Sequence, residues 1–291
     1  MLLGALEAGG TKMVCALGNE KGEILEQCSI PTKTPEETIP GILDYFKDKQ
    51  IEALGIGCFG PVDLDKNSPT YGYITSTPKL AWKNFDMVGA MKKALGVPVG
   101  FDTDVNGSLL GEVTWGSARG LTDAAYLTIG TGIGAGIMTN GKLLHGMMHP
   151  EAGHMSLVLH KDDHYAGKCP FHGTCFEGLA AGPAIEARWG AKAAELANRP
   201  EVWEMEGYYI AQALTTLVMV LSPQRIILGG GVMHQKQLFP MIRQKVRDMV
   251  NGYIQAERFN DMDNYIVPAG LNDDQGIMGC IKLAMESLEK E

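Results

Sequence analysis

The sequence lacks the long apolar runs of a membrane protein, because none reaches the ~20 residues that a helix needs to span a bilayer. It also lacks a basic cluster, and its net charge of −9 argues against a nucleic-acid surface. No charged segment followed by an apolar one marks a secretory signal at the start. We therefore expect a cytoplasmic protein that binds neither membranes nor nucleic acids.

Cysteine is too sparse for a disulfide framework, since six cysteines are spread over 291 residues. Hydrophobic residues make up 45% of the chain and charged residues 20%, as is usual for a globular enzyme. The length is sufficient for two domains, each with its own core. The composition therefore predicts a two-domain globular enzyme.

The most informative stretch is glycine-rich and runs from Leu127 to Met138 (LTIGTGIGAGIM). Glycine occupies every second position from 130 to 136, which leaves one face of a strand bare for a bulky ligand. Thr131 adds a hydroxyl donor for an anion, and Asn140-Gly141 is a strong hairpin signal. We predict a strand, a glycine bend, a second strand, a tight turn and a third strand.

Two familiar glycine motifs do not fit this stretch. A P-loop would need Ser or Thr for magnesium where Leu143 stands, and a dinucleotide fingerprint would need a helix. A glycine-rich hairpin without a ligand stays open as an alternative. A similar pattern lies at Leu6 to Leu25, around Gly9-Gly10-Thr11, so we expect two related lobes with a nucleotide's phosphates between the bends.

Strands that alternate with helices predict an α/β fold with a largely parallel sheet. After the central hairpin the chain is mainly helical, with helices predicted at Ala184–Asn198 and Tyr208–Leu221. Gly116 and Gly120 bracket a candidate lobe boundary. We predict an N-terminal lobe at 1–117 that is completed by a C-terminal helix at 274–291, and a C-terminal lobe at 118–273.

Asp102-Thr103-Asp104 ends a predicted strand and opens a helix. Ligands of α/β folds bind at the carboxyl ends of strands, and a carboxylate there can accept a proton from a substrate hydroxyl. Asp104 is therefore a candidate general base. The alternative is that Asp104 only caps the helix, as Asp often does.

Cys169, His172 and Cys175 are separated by two residues each, and thiolate and imidazole ligands are those that zinc prefers. His154 is the best fourth ligand because it lies nearby in the sequence. The alternatives for that fourth position are His149, His160 and His164. A loop with free thiols and scattered histidines is the competing interpretation.

A closed zinc site would be structural, and two glutamates flank it. Glu151 and Glu177 would then be fixed as hydrogen-bond acceptors for a polyol. The competing interpretation of this pair is ordinary surface charge.

Taken together, these motifs resemble the ROK family of repressors, open reading frames and sugar kinases, and most of all its bacterial fructokinases. The resemblance covers essentially the whole chain. It implies a two-lobe actin-like ATPase fold (ribonuclease H-like) of the sugar kinases, with ATP in a cleft between the lobes. It also implies Asp104 as the catalytic residue and a sugar site made of Thr103, Glu151, His154 and Glu177.

The resemblance further assigns the nucleotide and metal contacts. The implied metal ligands are His154, Cys169, His172 and Cys175. The implied ATP-binding residues are Gly9, Gly10, Thr11, Lys12, Thr131, Gly132, Pro183, Gly229, Gly230, Leu271, Asn272, Asp273, Asp274 and Gln275. Thr77-Pro78-Lys79 and Trp82 also resemble the fructokinase branch.

Three positions depart from the family pattern. Many relatives have Asp where Glu7 stands, which changes the reach to magnesium. Asn usually precedes the catalytic aspartate, whereas this chain has Thr103. His172 replaces a cysteine of the usual metal motif.

We therefore expect an ATP-dependent kinase that converts D-fructose to D-fructose 6-phosphate, with Mg²⁺ and Zn²⁺, as a homodimer. The alternative substrates are mannose, glucose or an N-acylated hexosamine. A sugar-responsive repressor would need a DNA-binding module before the first strand, where the chain has no residues to hold one. A filament-forming or chaperone ATPase would have no use for the carboxylates at 104, 151 and 177.

Overall fold

The computed structural model describes residues 1–289 as two compact units. The first unit comprises Met1–Gly120, Leu143–Pro150 and the chain from Gly270 onward, and the second comprises Leu121–Lys142 and Glu151–Ala269. The lobe division predicted at 117/118 stays a prediction, and the last two residues of the predicted 274–291 segment lie outside the described residues. No helix within 1–289 combines the length and the apolar character that crossing a membrane requires.

The first unit contains a five-stranded sheet with helices packed on it. Its strands and helices are β1 (Leu3–Ala8), β2 (Lys12–Gly18), β3 (Ile24–Pro31), α1 (Pro35–Phe46), β4 (Ala53–Cys58), β5 (Tyr73–Ile74), β6 (Phe85–Asp86), α2 (Met87–Leu95), β7 (Val99–Thr103), α3 (Asp104–Thr114) and, much later in the chain, α10 (Gln275–Leu288). The sheet order is β3-β2-β1-β4-β7, and β5 pairs separately with β6. The first three strands form an antiparallel meander, whereas β1, β4 and β7 run parallel.

The parallel register brings the carboxyl ends of three strands to one edge of the first sheet. Ala8 lies opposite Cys58, and Cys58 lies opposite Thr103. Every residue of the interior strand β4 is buried, as expected for a strand covered on both faces. The residues that directly follow β1 and β7 therefore lie at the same edge of the sheet, on either side of the end of β4.

Helix α10 packs against this sheet and against α3 with backbone in direct contact. A Cβ atom at Gly55 would overlap the carbonyl oxygen of Cys280, and one at Gly279 would overlap that of Gly107. Glycine lets the two backbones approach this closely because it has no side chain. The buried side chains beside this contact are those of Leu3, Ala5, Ala16, Ala53, Ile277, Cys280, Ile281 and Ala284.

The second unit repeats this sheet topology. Its strands and helices are β8 (Ala124–Ile129), β9 (Ile133–Thr139), β10 (Lys142–Leu143), α4 (Phe176–Ala180), α5 (Gly182–Trp189), α6 (Pro200–Leu221), β11 (Arg225–Gly229), α7 (Leu238–Val250), α8 (Glu257–Asn260), α9 (Met262–Tyr265) and β12 (Ile266–Pro268). The sheet order is β10-β9-β8-β11-β12, with β8, β11 and β12 parallel and β9 antiparallel to β8. Short 3-10 helices lie at Leu80–Trp82, Ala152–His154, Ala193–Leu196 and Gly231–His234.

The predicted central hairpin is confirmed. Strands β8 and β9 flank the glycine bend, and Asn140 and Gly141 have φ angles of 51° and 73° at the turn before β10. Positive φ at both central residues is the geometry that Asn-Gly favours in a two-residue hairpin. The same strand–bend–strand pattern occurs in the first unit at β1 and β2.

Two predicted helix boundaries in the second unit are wrong. The helix expected over Ala184–Asn198 stops at Trp189, because Gly190 adopts a left-handed conformation (φ 75°) that ends it. The helix expected from Tyr208 begins at Pro200, whose missing N–H costs nothing in the first turn. In both cases a single residue at the end of the helix, Gly190 or Pro200, sets the boundary. The spacing of apolar residues does not reveal it.

Candidate active site

The first glycine bend connects β1 to β2 and is held by one backbone hydrogen bond and one from a side chain. The N–H of Gly9 donates to the carbonyl of Glu7 (3.1 Å), and the Thr32 hydroxyl donates to the carbonyl of Gly9 (2.7 Å). A Cβ on Gly9 would come within 2.6 Å of the Lys12 carbonyl oxygen, so the bend needs glycine there. The predicted phosphate residues Gly9, Gly10, Thr11 and Lys12 therefore form one tight loop at the carboxyl edge of the first sheet.

Glu7 places a carboxylate beside this loop. Burial raises the pKa of the Glu7 carboxyl, the Lys12 ammonium opposes that shift, and the Asp274 carboxylate adds to it. The Glu7 carboxylate also lies against Gly276 in the first turn of α10. The predicted segment Leu271–Gln275 thus comes to the same place, because it leads directly into that helix.

Asp104 is the first residue of α3, and Thr103 is its N-cap. The Thr103 side chain accepts a hydrogen bond from the N–H of Asn106 (3.2 Å), while an Asp104 carboxylate oxygen accepts one from the N–H of Val105 (2.9 Å). The alternative interpretation of Asp104 as the helix cap is therefore wrong. Thr103 is only 3% exposed, which leaves little of its surface for the sugar contact that the sequence predicts.

A polar network that the sequence did not predict lies beside Asp104. One carboxylate oxygen of buried Asp102 accepts hydrogen bonds from the Thr103 N–H (2.8 Å) and the Asn106 amide (2.7 Å). The other lies 2.9 Å from Nε2 of His145, and the Asn106 amide is 3.5 Å from Nδ1 of buried His149. The spacing of Asp102 and Asn106 along the first turn is visible in the sequence, but nothing there brings the histidines to them.

His145 gains a carboxylate partner in this network. The hydrogen bond to Asp102 raises the pKa of the His145 imidazole, whereas burial and the Lys66 ammonium oppose the shift. The ring remains 39% exposed, so solvent screens part of the attraction. The pair joins the segment Leu143–Pro150 to the end of β7.

The second glycine bend is held in a similar way. Gly130 donates to the carbonyl of Gly132 (2.9 Å), and Gly182 donates to the carbonyl of Gly130 (2.7 Å). Helix α5 therefore begins against the bend, with Pro183 in its first turn. A helix N-terminus favours negative charge, so this end of α5 suits a phosphate.

Gly229 and Gly230 come to the same end of the second sheet. Gly230 has a φ of 88°, and a Cβ there would lie 2.6 Å from the backbone nitrogen of Ile129. The backbone thus crosses closely over the end of β8. The structure brings Gly229 and Gly230 together with the predicted phosphate residues Thr131 and Gly132.

Glu177 is fixed on the second bend. Its carboxylate accepts a hydrogen bond from the N–H of Ile133 (3.0 Å), directly after Gly132. Burial raises the pKa of the Glu151 carboxyl, His154 opposes the shift, and the charge of Glu177 adds to it. The two predicted sugar carboxylates and His154 are therefore near neighbours.

The four predicted metal ligands form one cluster. The ligand atoms of His154, Cys169, His172 and Cys175 all lie within 4.8 Å of one another. Nδ1 of His154 is 3.5 Å from Sγ of Cys175 and 3.8 Å from Sγ of Cys169, which is itself 3.6 Å from Nδ1 of His172. Tetrahedral zinc with ordinary Zn–S and Zn–N bonds separates such atoms by about 3.6 Å, so the donor set fits the metal.

The remaining histidines do not belong to this cluster. His149 lies in the first unit beside Asn106, and the ring of His160 packs edge-on against Tyr208 (5.0 Å between centroids). His164 is exposed, apart from the ligand group. The three alternatives for the fourth ligand are therefore wrong, and His154 is the histidine that the fold supplies.

Comparison with known proteins identifies the family. A model of the ROK family matches residues 3–287. The chain belongs to the ROK family. A fructokinase of Pediococcus pentosaceus is 46% identical over 289 residues and covers 99% of each chain, and a fructokinase of Streptococcus mutans is 45% identical and covers 97% of each. A ROK hexokinase from Thermus thermophilus has the same fold, with a TM-score of 0.80, 25% identity and complete coverage of both chains.

Membership in the ROK family confirms the resemblance found in the sequence and the two-lobe actin-like ATPase fold that it implied. The repeated sheet topology of the two units agrees with this fold.

The pH dependence of stability tests the His145 contact. Because the folded-state pKa of His145 is raised, protonated His145 adds stability that is fully present below its unfolded pKa of about 6.5 and is lost as pH rises through the folded pKa. We expect His145→Gln to lower the free energy of unfolding more at about pH 5.5 than at pH 8, with a difference below ~1 kcal/mol because the ring is part-exposed. Urea unfolding of both proteins at the two pH values measures it.

The matched control for this comparison is His164→Gln, at an exposed histidine outside the network. Its effect on the free energy of unfolding should be small and the same at both pH values. A His145→Gln effect that stays constant or grows toward pH 8 would contradict the assigned contact.

Proposed function

We propose that the chain is an ATP-dependent kinase that phosphorylates D-fructose to D-fructose 6-phosphate. The observation that carries this proposal is the identity of 46% and 45%, over nearly the whole of each chain, with two proteins named as fructokinases. Phosphoryl transfer depends on positioning and charge stabilisation, and the two glycine bends with nearby carboxylates suit both tasks.

Asp104 acts as the general base in this proposal. It takes the proton of the sugar's 6-hydroxyl as that oxygen attacks the γ-phosphorus, the bond from phosphorus to the β–γ bridging oxygen breaks, and ADP leaves. The position of Asp104 supports the role, because it follows β7 directly at the edge where the carboxyl ends of three strands meet. Thr103 is the N-cap of this helix, so the N-cap position does not account for Asp104.

Glu151, Glu177 and His154 bind the sugar in this proposal. Carboxylates accept hydrogen bonds from hydroxyl groups, and the pair is fixed by the Ile133 N–H and by the short turn at Ala152–His154. That turn needs Gly153, since a side chain there would overlap the carbonyl of Ile133. A hexose would offset the repulsion between the two carboxylates by donating hydrogen bonds from its hydroxyl groups to both.

The two bends bind ATP in this proposal, the first through residues 9–12 and the second through Thr131, Gly132 and the N-terminus of α5. The turn at Leu271–Gln275 and the glycines at 229 and 230 contact the nucleoside. Bound Mg²⁺ would neutralise phosphate charge, and the partly buried Glu7 is the carboxylate of the first bend that could hold it. Its extra methylene relative to Asp extends the reach of the carboxylate.

Zinc fits the cluster at residues 154, 169, 172 and 175, where it would be structural because all four positions are protein ligands. Burial raises the pKa of the Cys175 thiol, so the metal would displace a proton that the fold otherwise retains. Since His154 also belongs to the proposed sugar site, the metal would fix the turn that carries Glu151. We also propose a homodimer as the functional form.

A substrate panel tests the proposed reaction. ADP release should be measured with ATP and D-fructose, D-mannose, D-glucose or N-acetylmannosamine. We expect the largest kcat/KM with fructose, by about 10-fold or more. A larger kcat/KM with any other hexose would replace fructose as the substrate, and absence of ADP release with every sugar would contradict the kinase assignment.

Replacing Asp104 by Asn tests the catalytic base. Asn retains the size of the side chain and its hydrogen bond from Val105, but it cannot accept a proton at neutral pH. General-base loss costs typically 10²–10⁴-fold, so we expect kcat on the best sugar to fall by roughly that factor with little change in melting temperature. The control is Asp86→Asn, at an aspartate that does cap a helix, by accepting from the N–H of Gly89 (2.7 Å). Wild-type turnover in the Asp104→Asn protein would refute the role.

Zinc content tests the metal site. The purified protein should contain about one zinc per chain by elemental analysis, because a closed four-ligand site binds tightly. Cys175→Ser should lose the metal and melt at a lower temperature. Cys28→Ser, at a half-buried cysteine outside the cluster, should retain it. Full activity in metal-free wild-type protein, or stoichiometric zinc in Cys175→Ser, would contradict the site.

A further inference from the structure

Lys79 lies directly across the first glycine bend. Its Cε atom would be 3.0 Å from a Cβ atom on Gly10, so the lysine side chain occupies the space that a residue larger than glycine would need. Gly10 is the middle residue of the bend between β1 and β2. The lysine comes from the long connection between β4 and α2, some seventy residues later in the sequence.

The position of Lys79 is fixed by the residues around it. Its backbone N–H donates to the hydroxyl of buried Thr77 (3.2 Å), and its carbonyl accepts from the N–H of Trp82 (2.8 Å). Trp82 is 1% exposed, and its indole N–H donates to the carbonyl of Lys33 (2.6 Å). The ring of Trp82 packs edge-on against Phe85 (5.2 Å between centroids). Buried Trp82 therefore fixes the backbone of Lys79 beside the bend.

The Lys79 ammonium has no structural use in the described part of the chain. No carboxylate of residues 1–289 lies within ion-pair distance of its Nζ, whereas Lys33, Lys47 and Lys49 each pair with an acidic side chain. The Lys79 residue is half-buried, and within the described residues no carboxylate is paired with its ammonium. The arrangement becomes favourable when an anion binds at the bend, and ammonium groups bind phosphate as point charges.

We propose that Lys79 is a further catalytic residue, whose ammonium contacts the γ-phosphoryl group of ATP held by the Gly9–Thr11 bend. This inference rests on the proposed function and names a group that it does not include. Lys79 neither gives nor takes a proton in the step. The sugar oxygen forms the new bond to phosphorus, the bond to the β–γ bridging oxygen breaks, and the hydroxyl proton goes to Asp104. Lys79 stabilises the charge on the non-bridging oxygens of the group in transit.

The test compares Lys79→Met with Lys79→Arg and with Lys83→Met. Met preserves the length of the side chain and removes its charge, Arg keeps the charge, and Lys83 is an exposed lysine four residues further on in the same segment. A single charge-stabilising donor contributes about 10²–10³-fold to turnover. We expect Lys79→Met to lower kcat by roughly 10²-fold with the KM for the sugar little changed, Lys79→Arg to recover part of the loss, and Lys83→Met to match the wild type.

Nucleotide binding separates a γ-phosphoryl contact from a general effect. Lys79→Met should weaken binding of the β,γ-imido analogue of ATP, measured by calorimetry, and leave ADP binding unchanged. Equal weakening for both nucleotides, an effect confined to the sugar KM, or wild-type kcat in Lys79→Met would overturn the proposal. The binding comparison needs no turnover, so it tests Lys79 even if the substrate panel were to reject the kinase reaction.

Discussion

The contact between the backbone of α10 and the first sheet is the constraint on which the candidate site depends. Glycines at 55 and 279 allow the helix to approach so closely that its first turn meets Glu7. The Cys280 thiol beside this contact donates to the carbonyl of Leu6 (3.2 Å) and accepts from the N–H of Gly57 (3.1 Å). Burial raises the pKa of this thiol, and the nearby charges of Glu7 and Asp104 add to the shift. The uncharged Cys280 thiol therefore lies close to both the proposed base Asp104 and Glu7 of the first bend.

The two units share one sheet topology but carry different kinds of residue at the carboxyl ends of their strands. In the first, the edge formed by the carboxyl ends of the strands holds acidic and basic side chains, among them Glu7, Asp104 and Lys79. In the second, the corresponding edge is mostly glycine backbone, and the charged groups come from a loop that the His/Cys cluster closes.

The sequence was most informative where single residues determine backbone geometry. Alternating glycines and Asn140-Gly141 predicted the central hairpin correctly, and the Cys169-to-Cys175 spacing predicted a cluster that the fold does assemble. It was least informative about which side chains meet across the fold. The Asp102–His145 pair joins residues 43 positions apart, and spacing along one element carries no information about such contacts. The sequence also could not decide whether Thr103 or Asp104 is the N-cap, because Thr and Asp both cap helices well.

The discontinuous first unit has a consequence for biosynthesis. Its sheet and the Asp104 helix are translated early, but α10 emerges after the whole of the second unit has been made. A nascent chain that stops before Gln275 lacks the helix that packs against Gly55 and borders Glu7. The proposed ATP-binding edge of the first sheet is therefore completed only at the end of translation. An incomplete chain on the ribosome would lack the geometry needed to hydrolyse or transfer phosphate from ATP.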